Sequence, residues 1–319
     1  MNGNTEQDDL YTIAFYNLEN LFDTNDDRET LDDDFTPDGK KKWNAKRYIR
    51  KLKKLSSVIS QIGFKESGHS PAIIGLAEVE NKKVLDDLLN TSSLKNRGYD
   101  IVHFNSSDER GIDVALLYKR SVFEFLEAEP VTLFLMNEEG ERDYTRDVLV
   151  VTGNLKGEQI HILVNHWPSR RSGEVETEPK RINAAHLNLQ IIAKIKKEKP
   201  NAKIIIMGDY NDNPTSISVK EHLVTNEFYN PYESIYDKGK GTLTYNREWH
   251  LFDQIILSRN FLKETNFAFK EAHIFEESFL KEWKGKHKGS PFRTYIGKWH
   301  QGGFSDHFPV HIQLKKEKL

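Results

Sequence analysis

The sequence predicts an α/β protein in which two sheets pack together with helices on the outside. Three observations lead there: short runs rich in Ile, Val, Leu and Tyr recur along the chain, several of these are apolar at consecutive positions, and segments with helical spacing stand between them. In order, residues 11–18 (YTIAFYNL) read as a first strand. Tyr48, Leu52, Leu55, Ile59 and Ile62 then fall on one stripe of a helix over about 43–62, with Lys46, Arg47, Arg50, Lys51, Lys53 and Lys54 read as its solvated basic face. Residues 71–79, 99–104, 111–118, 147–155 and 160–167 read as strands bounded by Gly, Asn, Asp or Pro. Ile182, Ala185, Leu189, Ile192 and Ile195 place a helix over 180–197, which KEKPN stops, and residues 202–209, 251–258 and 307–314 are further strands. No Pro/Ser-rich linker or internal repeat interrupts the pattern, so residues 1–10 read as a polar N-terminal tail and 11–319 as a single domain.

Composition narrows the class. With 319 residues, 37% of them apolar and 30% charged, the chain is that of a globular protein, and no apolar run approaches the roughly 20 residues that span a bilayer. The opening MNGNTEQDDL lacks the basic and then apolar pattern of a secretory signal, which leaves the compartment open between the cytoplasm and, for a trimmed chain, export. Zero Cys excludes disulfides, thiolate catalysis and thiolate zinc sites. The net charge of −3 means that affinity for a polyanion has to come from a local site. The acidic stretch 23–34 reads as a surface loop, with Ca²⁺ binding the weaker alternative because the stretch lacks the Gly and terminal Glu of an EF-hand loop.

The informative residues stand where strands meet loops. Asn17 and Glu19 close the first strand, Glu78 the second, Asn165 and His166 a later one, and Asp209 and Asn211 the run KIIIMGDYN; Asp253, Asp306 and His307 open apolar runs. Each alone reads equally as a turn or cap residue. Together they are costly unless paired or bound to a cation. Carboxylates with Asn carbonyls suit Mg²⁺ or Mn²⁺, and imidazoles with Asp partners supply donors or a proton shuttle near neutral pH. Metal, imidazole and water are the equipment of phosphoester hydrolysis.

FYNLENLFD, LAEVEN, RGIDVALLY, VNHWPSR, GDYNDNP, FDQIILS and GGFSDHFPV follow one another as in the endonuclease/exonuclease/phosphatase superfamily, with its deoxyribonuclease I-like and exonuclease III-like enzymes, which the chain resembles over about 11–314. The resemblance implies a four-layer α/β sandwich, two packed mixed sheets flanked by helices, and a metal-dependent phosphodiesterase, in the first instance a nuclease acting as a monomer on nucleic acid with Mg²⁺, or Mn²⁺ in its place. It implies Glu78 as principal metal ligand, helped by Asn17, Glu19 and Asp306. It gives Asp209 the attacking water to orient or deprotonate, Asn211 the phosphate or the metal's water, His307 with Asp253 the charge on phosphorus or the part of base, and His166 the phosphate or leaving group.

Ala77 departs from the Gln that many relatives carry before the metal-binding Glu. Asp113 puts a carboxylate inside a strand, either facing the site with Arg110 or Arg146 or paired structurally. Arg170 and Arg171, beyond His166, are candidates to grip substrate phosphate or members of a solvated loop. A phosphomonoesterase or lipid phosphodiesterase, inositol-phosphatase-like or sphingomyelinase-like, would use the same site, although Gln254 and Asp212 stand where inositol phosphatases tend to carry Arg. A zinc hydrolase on His166, His307 and Asp209 lacks a local His-x-x-x-His pair. A non-catalytic protein on this scaffold would be expected to have lost some of the site residues, and none is lost. Loops 23–42, 169–180, 230–248 and 276–302 are the candidates for specificity, the last with Trp283, Lys284, Lys286, Lys288, Arg293, Tyr295 and Trp299 for stacking and phosphate contact.

Overall fold

A computed structural model of the chain describes residues 9–137, 139–263 and 266–317, so that most of the expected tail lies outside the described residues; Leu10 already belongs to a strand. Twelve strands build two sheets: β1 (Leu10–Leu21), β2 (Ile73–Val79), β3 (Tyr99–His103), β4 (Asp113–Lys119), β5 (Phe123–Val131), β6 (Val148–Leu155), β7 (Glu158–His166), β8 (Lys203–Asp209), β9 (Phe228–Tyr229), β10 (Asp253–Ser258), β11 (Phe267–Ile274) and β12 (Val310–Lys316). The first sheet runs β11-β12-β1-β2-β4-β3 and the second β9-β10-β8-β7-β6-β5. Both are mixed, with β1 parallel to β2 and β7 parallel to β8.

Alternation explains the layers. Phe15, Ile162, Val164, Met207, Val310 and Ile312 point inward and fill the space between the sheets. Their neighbours in sequence point outward: Tyr16, Ala14 and Leu76 pack under helices α1 (Ala45–Ile59) and α3 (Lys82–Leu89), with a one-turn helix α2 (Phe64–Ser67) between these in sequence. On the other side Leu163, Ile204 and Ile206 pack under α4 (Glu174–Glu198). Each large side chain so buried contributes roughly 1.5–3 kcal/mol, which is why consecutive apolar residues were needed in the central strands. The result is the four-layer α/β sandwich. No helix among the described residues is long and apolar enough to cross a membrane.

Three differences from the sequence expectation have physical reasons. Strands β5 (FEFLEAEPV) and β11 (FAFKEAHI) carry too much charge to read as core, because they are sheet edges, where charge and Pro130 discourage further pairing. Helix α4 begins at Glu174, not 180, running through Pro179; buried Arg181 ties its first turns together by donating to the Glu174 carbonyl and to Thr177 Oγ1. On α1, Lys51 is not part of a solvated face: it is buried and donates to Thr294 Oγ1 and the Phe304 carbonyl, and Lys54 reaches the Gly302 carbonyl.

Strand direction gathers the polar residues. Parallel β1 and β2 end on the same side, as do parallel β7 and β8, while β10 and β12 run antiparallel to them and begin there. Acids at strand ends and at strand starts thereby meet at one edge of the sandwich.

Candidate active site

The first sheet delivers Glu78 through a bulge. Ala77 pairs with Val114 and Val79 with Asp113, so Glu78 has no partner on β4 and lies left-handed at φ 62. A bulge re-aims a side chain that strict alternation would have buried or exposed. Opposite it, β1 slips between Asn17 and Leu21, with Glu19 and Asn20 also at positive φ (52 and 53). Asn211, two residues beyond the end of β8, is a further case, at φ 51. Non-glycine residues held this way cost of order 1–3 kcal/mol each and cluster at functional sites.

The second sheet delivers a row. Asp209 is in register with His166 on one side and Asp253 on the other. Gly208 allows the close approach before them, since a Cβ there would lie 2.3 Å from the Asn165 carbonyl oxygen. Across the gap between sheets, Asn17 Nδ2 donates to Asp209 Oδ2 at 3.0 Å and to Glu78 Oε1 at 3.3 Å. Glu78 Oε2 accepts the Asn20 N–H at 2.7 Å. His166 Nε2 faces both carboxylates, 3.7 Å from Asp209 Oδ2 and 4.0 Å from Glu78 Oε1. His307 Nε2 is 4.0 Å from Asp209 Oδ2, and its Nδ1 is 2.6 Å from Asp253 Oδ2.

Electrostatics separates the two imidazoles. Burial, with Arg146, Arg110 and His307 nearby, pushes His166 well below the usual histidine range, so it is neutral. Burial also opposes charge on His307, but the charge and hydrogen bond of Asp253, with Asp209 and Asp306, outweigh it and raise its proton affinity well above normal. Asp209 is pushed up to about 7, first by burial and then by Asp253, against the pull of His307. A neutral ring, a cationic ring and a carboxylate poised near neutrality thus share one cleft.

Other predicted residues stand apart. Glu19 turns away from Glu78: its carboxylate accepts the backbone N–H groups of Thr294 (2.6 Å) and Tyr295 (3.2 Å), close to Lys51 and Arg293, and burial followed by Asp306 pushes it up to about 7. Asp306 pairs with Arg293 Nη2 at 2.7 Å. Arg170 is committed to protein partners, donating to the Asn211 carbonyl and to Asp212 Oδ1 and pairing with Glu174, whereas Arg171 is exposed. Asn211 does not continue the strand to share a side with Asp209, as an extended chain would require. Its N–H donates to Asp209 Oδ1 in a turn and its Nδ2 to the Trp167 carbonyl. Asp212 is buried against Arg181 and Arg170, outside the cleft. Asp113 accepts from the Ser106 N–H and meets His103, a structural pairing rather than one with Arg110 or Arg146.

Sequence reasoning missed Thr242, whose hydroxyl donates to Asp253 Oδ2 at 2.5 Å, and named Arg146 only as a partner for Asp113, whereas it ties the His166 and Trp167 carbonyls to Asp108. No local signal marks Thr242. Ser305, which donates to the Asn17 carbonyl and accepts the His307 N–H, was visible only as part of SDH.

The donor chemistry fits a hard divalent cation at Glu78. Its carboxylate is the part-open one, 15% exposed, beside buried Asp209, and such ions need only one or two carboxylates with a substrate phosphate. As oriented, Asn17 offers these carboxylates its amide nitrogen, its oxygen being taken by the Glu19 N–H. Asp209, Asp253 and His307 also bring ligand atoms within 4.8 Å of one another, but a cationic His307 makes that group a donor cluster instead.

The Endonuclease/Exonuclease/phosphatase family model matches residues 12–316. Similar solved structures include D. rerio TDP2 complexed with single strand DNA product, 15% identical over 97% of this chain and 100% of that one with a TM-score of 0.60. An endonuclease/exonuclease/phosphatase family protein from Bacteroides thetaiotaomicron is 17% identical over 97% and 99%, with a TM-score of 0.61. A mannosyl-6-phosphatase from the same organism is 18% identical over 95% and 99%, with a TM-score of 0.57. At these identities the likeness is one of fold. Among curated protein sequences none matches.

Proposed function

Because the chain belongs to the endonuclease/exonuclease/phosphatase family, and is therefore a metal-dependent phosphoesterase, we propose that it is a nuclease that hydrolyses phosphodiester bonds with Mg²⁺, or Mn²⁺ in its place. The observation that carries this reading is the row His166–Asp209–Asp253 with cationic His307 over it, facing Glu78 across the cleft.

In this reading Asp209 takes the proton of an attacking water as the water oxygen bonds to phosphorus; its affinity near 7 suits that transfer at neutral pH. Asn211 and Asn17 donate to the two Asp209 oxygens and fix the carboxylate plane. His307, held charged by Asp253, donates to a phosphoryl oxygen as negative charge builds, and neutral His166 donates a hydrogen bond to the phosphate or to the departing oxygen, which takes its proton from solvent once its bond to phosphorus breaks. Glu78 would hold the divalent ion, whose charge would offset that of the phosphate. Glu19 and Asp306 take supporting places, holding the Arg293–Tyr295 segment against the cleft rather than facing the ion. Arg170 orients Asn211, and Arg171 remains the arginine available to a substrate phosphate.

Nucleic acid is favoured by the segment that Glu19 anchors. It carries Trp283 and Trp299, 71% and 66% exposed, around a groove of about 540 Å³ with Lys284 and Lys286. Exposed aromatics among cations stack on bases, each worth roughly 1–3 kcal/mol. The test is a Mg²⁺-supplemented screen of duplex DNA, single-stranded DNA, RNA, inositol phosphates, sphingomyelin and bis(p-nitrophenyl) phosphate beside Asp209→Asn. Cleavage of a nucleic acid by the wild type alone is expected. Turnover of only a phosphomonoester or a lipid would replace the nuclease reading with the alternative that uses the same site.

A further inference from the structure

We propose that Glu66, His273 and His311 form a second metal site, for a divalent transition ion of the zinc class, on the outer face of the first sheet. His273 on β11 and His311 on β12 are direct cross-strand partners, and their rings lie 5.1 Å apart and 23° from parallel. Glu66 on α2 projects toward them, with Oε2 3.8 Å from His311 Nε2. The three offer one ligand atom each, all within 4.8 Å of one another.

His311 calls for an explanation. Its side chain is only 3% exposed, yet neither ring nitrogen has a hydrogen-bond partner, and His273 Nε2 has no well-formed hydrogen bond, only the Glu271 carboxylate near it. Burying such groups unpaired is costly, and a simple His311–Glu66 ion pair does not relieve it at 3.8 Å. A cation coordinated by one nitrogen of each imidazole, with both rings neutral, satisfies two of these three nitrogens at once. Zinc bonds of about 2.0–2.1 Å would draw tetrahedral ligand atoms to about 3.3 Å apart, and the half-exposed His273 and Glu66 side chains can close that gap. Glu271, whose Oε2 is 3.2 Å from His273 Nε2, adds a carboxylate at the open side. Two imidazoles with a carboxylate select zinc over Mg²⁺, the reverse of the oxygen-rich cleft. Bound there, the ion would pin α2 to the edge of the sheet, independently of hydrolysis.

The test strips the protein with chelator, loads it with Zn²⁺, dialyses it against Mg²⁺ and measures zinc per chain. Wild type should retain one zinc per chain more than Glu66→Gln, His273→Gln or His311→Gln, and zinc should raise the unfolding temperature of wild type alone. Because His311 is buried, the partly exposed Glu66 and His273 variants decide the matter if His311→Gln fails to fold. Equal zinc retention by wild type and these two variants would overturn the site.

Discussion

Asp253→Asn isolates the group that keeps His307 charged. The Asp253 side chain is fully buried, and one oxygen accepts both His307 Nδ1 (2.6 Å) and Thr242 Oγ1 (2.5 Å). Asparagine keeps the shape and removes the charge, replacing a charge-assisted bond worth about 1.5–3 kcal/mol with a weaker neutral one. His307 then sits in a buried place with no counter-ion of its own, and its charge in the transition state is lost. Losing one positioned donor of this kind costs about 2.7–4 kcal/mol, a fall of about 10²–10³-fold in kcat with little change in KM. The assay is Mg²⁺-supported steady-state hydrolysis of bis(p-nitrophenyl) phosphate by wild type, Asp253→Asn, His307→Gln and the double variant, with thermal unfolding to verify the fold. Since Asp253 acts through His307, the double variant should fall no further than His307→Gln. Turnover by Asp253→Asn within about threefold of wild type, or losses that multiply in the double variant, would refute the reasoning.

Glu78→Gln should raise the Mg²⁺ concentration needed for half-maximal turnover, and an unchanged metal titration would remove Glu78 from the ion. Asp212→Ala removes the carboxylate that pairs with fully buried Arg181 and one of the two that pair with Arg170, Glu174 remaining to the latter, and should cost about 3–5 kcal/mol in urea unfolding. A loss below about 1 kcal/mol would show that the two arginines find other partners. His300 is pushed down from 6.5 to about 4, by burial first and then by Arg47, Arg50, Lys51 and Lys54. The unfolded chain therefore takes up this proton before the folded one does, so stability falls as pH drops from 6.5 toward 4. His300→Gln should flatten that acid limb, and an unaltered slope in unfolding measured across the window would contradict the assignment.

How much was legible in the sequence follows from what each residue had to do alone. Central strands declared themselves because both faces are covered, and α1 because one stripe is. Edge strands β5 and β11 did not, because their task is to stay soluble. The positions Glu78, His166, Asp209, Asp253 and His307 were legible as polar residues at strand ends and starts, since only strand direction was needed to gather them. Orientation was not. The bulge that turns Glu78 and the left-handed turn at Asn211 depend on register and on neighbouring strands, and the rotation of Glu19 toward Thr294 on a segment 275 residues away. Lys51 likewise looked solvated because its partners, Thr294 and the Phe304 carbonyl, lie more than two hundred residues on.

The proposed hydrolysis rests on Asp209, between His166 and Asp253, activating water beside an ion held by Glu78. Its most direct measurement is hydrolysis of bis(p-nitrophenyl) phosphate by chelator-treated wild type and Asp209→Asn as Mg²⁺ is restored. Turnover should recover in the wild type, with Asp209→Asn remaining lower by about two orders of magnitude or more at saturating Mg²⁺. Equal turnover by the two proteins at saturating Mg²⁺ would contradict it.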